Sequence, residues 1–223
     1  GNAKRVHELA EELRDNHGAH AKVAQLSFPL SDDRVPHFES FLSSAVDIAD
    51  FEISIMVNCI GDSPNVPLET QTLAGENGWE RIFAVHLFSA FLVTRAMTQR
   101  MAFRDIHGSV VLVGSSNGDN SYADYSLPYD LAKGGVHDVV RNLSETLMRR
   151  HGIRINGVAP GWVKTSDGMA PPSEEELRRE TAKIFRGRFA APSEIGEVVA
   201  FLASKKASYI TGQTIRVDGG YRG

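Results

Sequence analysis

Short apolar runs bounded by Gly, Asn, Asp and Ser alternate along this chain with longer stretches whose apolar residues recur at helical spacing, and that alternation restricts the fold more than any other feature. In "AKRVHELAEELRDN" the residues Val6, Leu9, Ala10 and Leu13 share one face between charged neighbours, which reads as an amphipathic helix. A short strand at about "AKVAQLS", a helix over residues 35 to 48 and the compact run "ISIMVN" follow. Next come a long helix from Trp79 to about Phe103, the strand "GSVVLVGSS", a helix over 129 to 150, and the strand and turn "IRINGVAPG". A helix over 193 to 204 precedes the last strand, "QTIRVDGG". Strands linked by helices pair in parallel and must be covered on both faces, so the pattern predicts a doubly wound α/β sheet.

In such sheets ligands bind beyond the carboxyl ends of the strands. The turns "NCIGDS", "GSSNG" and "APGWVKT" stand at those ends and should converge. With 223 residues, 42% of them hydrophobic, and no internal repeat or low-complexity linker, the chain has material for one sizeable core, and residues 1–223 are expected to form a single domain. Its 24 Lys and Arg are scattered among 28 Asp and Glu, for a formal net charge of −4. That balance gives no electrostatic footprint for nucleic acid and favours a small-molecule partner. Cys59 is the only cysteine, which excludes an internal disulfide and a thiolate-rich metal site and fits a reducing, cytoplasmic setting. No signal peptide or membrane-length apolar run is read from the sequence, and no membrane partner is expected. His7, His17 and His20 lack a supporting ligand set and read as surface residues.

Tyr122, Tyr125 and Tyr129 crowd one segment, but only Tyr129 has a lysine, Lys133, four residues on and so on its own helical face. The other two lie in a run that reads as loop. A phenol with its usual pKa near 10 exchanges protons poorly at neutral pH, and a neighbouring ammonium favours the phenolate. Such a tyrosine can protonate a carbonyl oxygen under reduction or take the proton of an alcohol under oxidation. Ser116, thirteen residues earlier and just after "VVLVG", could hold the same oxygen; alone it would be a turn serine, as a lone YxxxK is common.

A strand-end serine followed at this spacing by YxxxK resembles the short-chain dehydrogenase/reductase family. The likeness runs through most of the chain: "VNCIG" resembles that family's NNAG turn, "WERIFAVH" its WDxxxxVN helix start, "INGVAPGWVKT" its VNxxxPGxxxT, and "SYITGQTIRVDGGY" its last strand. The resemblance implies a Rossmann-type fold and an NAD(P)-dependent oxidoreductase that moves hydride between NAD or NADP and a small-molecule carbonyl or secondary alcohol. It implies Tyr129 as acid/base, Ser116 as the group orienting the substrate carbonyl, and Lys133 as the residue lowering the tyrosine pKa and bonding the nicotinamide ribose. By the same likeness Asn58 and Gly61 line the floor of the cofactor site, Pro160, Gly161, Val163 and Thr165 flank the carboxamide, and the protein is a homotetramer or homodimer.

The sequence also departs from that pattern. The Gly-rich phosphate loop TGxxxGxG is absent, and with it a βαβ unit of roughly 30 residues. In the strand order 3-2-1-4-5-6 the strand near residue 25 then lacks its neighbour, so the natural polypeptide is expected to extend before Gly1. The residue choosing NAD over NADP would lie there too. Pro29 stands where the family has an adenine-binding Asp, and Cys59 replaces the second Asn of NNAG, reading as a small buried filler. His86 aligns with the family's fourth active-site residue, an Asn. It falls on one helical face with Trp79, Ile82, Phe83, Leu87 and Ala90, so it points inward as a core histidine satisfied by a backbone carbonyl, or holds a water through which Lys133 exchanges protons. These departures leave a rival reading, a catalytically impaired family member acting as a binding or assembly protein. The segment from Trp162 to Phe189 is expected to cover a pocket lined by Tyr122, Tyr125, Trp162 and Met169, with "SEEELRRETAKIFRGR" forming a helix whose charged face is solvated.

Overall fold

The computed structural model describes Glu11 and residues 52–62, 66–75, 78–119, 124–164 and 173–222. The chain divides into two compact units, Gly1–Asp50 and Phe51–Gly223, and nearly all described residues belong to the second. Apart from Glu11, the first helix lies outside the described residues, as do the strand near residue 25, the helix over 35 to 48, and His7, His17, His20, Pro29, Tyr122, Thr165 and Met169.

Four parallel strands form the described sheet in chain order: β1 (Ile55–Asn58), β2 (Ser109–Val113), β3 (Arg154–Pro160) and β4 (Thr214–Val217). Parallel neighbours cannot be joined by a hairpin, and each connection here is helical, as the alternating pattern predicts. The runs "SVVLV" and "RINGVAP" show no polar alternation because β2 and β3 are covered on both faces; Val110, Val111, Leu112, Ile155 and Val158 have no exposed surface. β1 alternates instead, with Met56 and Asn58 buried and Ile55 and Val57 exposed.

The long connection from Trp79 to Phe103 keeps its expected bounds but is not one regular helix. It comprises α1 (Trp79–Phe83), a π-helical turn (Ala84–Phe88) and α2 (Ser89–Phe103). At 25 residues it is long and apolar enough to cross a membrane, which corrects the sequence reading on that point. Its apolar side here packs within the protein, burying Ile82, His86, Ala90, Leu92, Met97 and Met101. Helix α3 (Leu127–His151) starts two residues before the expected position, with Pro128 in its first turn, where a missing N–H is harmless. It stops at Gly152, whose left-handed φ of 63° lets its N–H reach the Met148 carbonyl at 3.0 Å.

Helix α4 (Glu174–Ala182) begins with a reciprocal cap: Ser173 accepts from the Glu176 N–H and the Glu176 carboxylate accepts from the Ser173 N–H. Its charged face is exposed as expected, but Glu180 is buried and bonded by the Tyr221 hydroxyl at 3.2 Å, fastening the helix to the C-terminal segment. Helix α5 (Pro192–Ala203) packs Leu202 on Val111 and Val158. Its last carbonyls are met from the sheet by Arg154, whose buried guanidinium donates to Leu202 O at 2.8 Å and Ser204 O at 3.0 Å.

Candidate active site

The carboxyl ends of β1 and β2 and the first two turns of α3 bring most of the expected residues together. At the end of β1 the Asn58 side chain accepts from the Ile60 N–H at 2.8 Å, a tight local turn that swings Cys59 outward. Cys59 is therefore exposed, not the buried filler its small size suggested. Asn58 itself is buried, and its Nδ2 has no partner among the described residues.

After β2 the chain makes a 3₁₀ turn, Ser116–Gly118, against α3. Gly118 permits the close approach: a Cβ there would stand 2.8 Å from the Gly134 backbone nitrogen. Three side-chain bonds fix the turn. Asn117 donates to Asp130 at 2.9 Å, Ser126 donates to the other Asp130 oxygen at 2.8 Å, and His137 Nδ1 lies 3.0 Å from Asp119. Ser115 stands near enough to Tyr129 to act on its phenol, favouring the charged form. The Ser115 Oγ accepts from the Asn117 N–H at 3.2 Å, which fixes its place at the turn. Ser116, which sequence spacing favoured, is buried beside it.

Tyr129 and Lys133 lie on one face of α3, as their spacing requires. The Lys133 ammonium is buried, donates to Val113 O at 3.0 Å, and sits 5.8 Å from the centre of the Tyr129 ring. Burial pulls the lysine pKa down to about 8, against the raising effects of Cys59 and Asp62. The expected lowering of the tyrosine is not seen here. Burial pushes the phenol up, and Asp130 and Asp62 add to this, while the nearby Ser115 opposes it. The ammonium lies over the ring rather than at its oxygen, so its field does little for the phenolate.

His86, in the π-helical turn, meets Tyr129 edge to face with ring centres 5.1 Å apart. Its partner is no backbone carbonyl. His86 Nε2 lies 3.0 Å from Asp62 Oδ1, and the other Asp62 oxygen accepts from Arg81 at 2.6 Å. Burial first, then the Lys133 charge, lowers the His86 pKa to about 4 against the pull of Asp62, so the ring is neutral at pH 7. A neutral ring beside a carboxylate carries its proton on Nε2. Burial acts to raise the Asp62 carboxyl, yet Arg81 and His86 hold it below its usual value. Sequence reasoning missed Asp62, Arg81 and Ser115. A charged residue directly after Gly61, at a strand end, was the available signal for the first.

At the end of β3 the chain holds to β4 through the Gly161 N–H, which donates to Val217 O at 3.1 Å. Pro160 and Gly161 are half-buried, and Val163 forms an isolated parallel bridge with Ala190. Of the residues expected to line one pocket, Tyr122 and Met169 lie outside the described residues, and Tyr125 and Trp162 border different cavities. Tyr125 lines a cleft of about 330 Å³ with Pro67, Leu68, Glu69, Asp124 and Glu176. Trp162, stacked on Phe189 with ring centres 5.2 Å apart, borders a separate cavity of about 360 Å³ with Arg186, Arg188 and Arg216.

Residues 3–222 match the profile of a family described as Enoyl-(Acyl carrier protein) reductase. The chain is 33% identical over 223 aligned residues to YmfI, an uncharacterized oxidoreductase of Bacillus subtilis, spanning 96% of this chain and 82% of that one. It is 31% identical over 217 residues to the 3-oxoacyl-[acyl-carrier-protein] reductase FabG of Aquifex aeolicus, spanning 97% of this chain and 83% of that one. Among solved structures, a 3-oxoacyl-[acyl-carrier protein] reductase with bound NAD from Brucella melitensis aligns at a TM-score of 0.78 and 25% identity, covering 99% of this chain and 78% of that one. Agreement of this extent, in sequence and in the course of the sheet, establishes that the chain belongs to the short-chain dehydrogenase/reductase family.

Proposed function

We propose that this oxidoreductase interconverts a carbonyl and a secondary alcohol by hydride transfer with NAD or NADP, using Tyr129 as acid/base, Ser115 as the donor that orients the reacting oxygen, and Lys133 as the cation beside them. The observation that carries the reading is the placement of Tyr129 and the buried Lys133 ammonium on one face of α3, beside the buried strand-end residues Ser115 and Ser116. A nicotinamide cofactor fits the groups present: Asn58 Nδ2 is a buried donor without a partner among the described residues, and Lys133 spends one of its three donors on Val113. Asn58, Gly61 and Lys133 would hold its nicotinamide end from one side, and Pro160, Gly161 and Val163 from the other. When bound, the cofactor supplies the hydride, which no side chain can provide.

The protein's own part is acid/base work and positioning. With its pKa raised, the free Tyr129 is protonated at neutral pH and so equipped to donate to a carbonyl oxygen as negative charge develops there. Ser115 presents a second donor to the same oxygen. The carbonyl class follows the Aquifex aeolicus relative, a 3-oxoacyl-[acyl-carrier-protein] reductase. The cleft beside Tyr125 carries the carboxylates Glu69, Asp124 and Glu176, which favours substrates without negative charge near their reacting end.

Hydride transfer with both reduced nicotinamides over a carbonyl panel tests the reading. Tyr129→Phe should cut kcat/KM by about 100- to 10,000-fold while cofactor binding persists, since only a hydroxyl is lost. Retained turnover in that variant, with Tyr125→Phe inactive, would assign the chemistry to the other tyrosine.

A further inference from the structure

The cleft beside Tyr125 has two walls that lie far apart in the chain: Pro67, Leu68 and Glu69 form one, Asp124 and Tyr125 the other. The first wall is a single 3₁₀ turn, Leu68–Thr70, in which the Thr70 N–H and hydroxyl both donate to the Pro67 carbonyl. It is fastened to α1, because the N–H groups of Trp79 and Glu80, which lack partners inside that helix, donate to the carbonyls of Thr72 and Leu73 at 3.0 Å. The second wall is the 3₁₀ turn Asp124–Ser126, which runs directly into α3, so that Tyr125 stands four residues before Tyr129. Half-buried Gln71 joins the two. Its Oε1 accepts from the Trp79 indole at 3.2 Å, which orients the amide, and Nε2 donates to Val66 O at 3.0 Å and to Asp124 O at 2.9 Å. Both amide hydrogens are thus spent on backbone carbonyls, one from each side of the cleft. Beside this brace the Val66 N–H donates to Tyr125 O at 2.9 Å, and Val66 itself is buried with Ile82 and Ala132 in the cluster on which Tyr129 packs.

We propose that Gln71 is a positioning residue that determines substrate size: it holds the cleft at a fixed width and so selects the carbonyl compounds whose chains fit between Leu68 and Tyr125 on the way to Tyr129. The inference rests on the oxidoreductase reading for the substrate, and on the hydrogen bonds just described for the brace. Charge explains why a brace is needed. Glu69 on one wall and Asp124 on the other are both carboxylates, and like charges facing one cleft favour a wider one. A neutral amide that donates to backbone on both sides opposes that spreading without adding a charge of its own. Leu68, about half exposed, gives the narrow cleft an apolar surface for an uncharged chain, and the contact is lost if the walls part. The reacting groups are held by other means. Lys133 is anchored on Val113 O, and Ser115 is fixed at the end of β2 by the Asn117 N–H, so neither depends on Gln71. Release of the brace therefore weakens the hold on substrates that fill the cleft and leaves the hydride and proton steps as they were.

The test compares wild type, Gln71→Glu and Gln71→Met on uncharged carbonyl compounds graded by size, from small ketones to 3-oxoacyl thioesters of N-acetylcysteamine with lengthening chains. Gln71→Glu keeps the length and the acceptor for Trp79 but turns a carboxylate oxygen towards two carbonyls; Gln71→Met keeps the length without charge and serves where the first variant folds poorly. In both, KM for the chain length that wild type prefers should rise about 10- to 100-fold. KM for the smallest ketone, kcat and cofactor KM should stay within about 2-fold. A second readout needs no turnover: hydrogen exchange at the Val66 amide should quicken about 10-fold in the variants, with exchange in β2 and β3 unchanged. A uniform fall in kcat for substrates of every size would overturn the proposal, since Gln71 would then hold the fold and not the cleft. Faster Val66 exchange in the variants of a protein that reduces no carbonyl would sink the functional reading and leave the brace standing. An active protein whose Gln71 variants keep both its chain-length preference and its Val66 exchange would do the reverse.

Discussion

Lys133 keeps its charge at the expense of the fold, and the cost has a readable pH signature. Its folded pKa of about 8 lies below the ordinary 10.5, so between those values the folded protein binds fewer protons than the unfolded chain and stability rises with pH. Below about pH 8 the full penalty applies, on the order of 3 kcal/mol. Lys133→Met should therefore be the more stable protein at pH 7, with the difference shrinking from pH 8 towards 10, as measured by denaturant unfolding of both proteins across that range. An advantage that stays constant with pH would mean the ammonium is not desolvated as its burial implies. Ser115 and Ser116 offer a second contrast at this scale. Ser115→Ala should lower kcat by about 100-fold by removing a donor to the reacting oxygen, whereas Ser116→Ala should leave kcat within a few-fold of wild type. Steady-state kinetics of the two variants decide which serine acts, and the reverse ranking would return the role to Ser116.

Helix α3 and the turn that precedes it act as one element through backbone contact. Because Gly118 meets the Gly134 backbone so closely, Gly118→Ala should push the Ser115 turn away from Tyr129. Its activity should fall far more than its thermal stability, and a proportionate loss of both would show that the turn merely packs. Arg154 joins another pair of elements, since it lies in β3 and satisfies the terminal carbonyls of α5. Arg154→Met retains much of the side-chain volume but leaves those carbonyls without their donor, which should cost about 2 to 4 kcal/mol by denaturant unfolding. A loss under about 0.5 kcal/mol would indicate that water replaces the guanidinium there.

At the scale of the whole molecule, exposed apolar side chains gather along the outward faces of two helices: Phe88 and Phe91 where the π-turn enters α2, and Leu127 and Leu131 at the start of α3. Such stripes fit burial against a second copy, and we propose assembly into a homotetramer or homodimer through them. Light scattering should give a multiple of the 24.4 kDa chain, and Phe91→Asp with Leu131→Asp should dissociate it; a stable wild-type monomer would end the proposal. The reach of the sequence follows from how far its physical rules extend. Strand and helix periodicity are local, so the alternating elements, the shared face of Tyr129 and Lys133, and the inward side of His86 could be read from neighbouring residues alone. Residues from different strand ends meet only when the sheet sets their register, and no local period encodes that. Tertiary structure alone therefore decided that both Ser115 and Ser116 are buried at the strand end beside α3, that a π-turn carries His86, that Cys59 faces outward and that Asp62 stands behind the imidazole. It also decided that Lys133, legible as a partner of Tyr129, lies over the ring and not at the oxygen, because burial and the Val113 carbonyl fix the ammonium where spacing along a helix cannot.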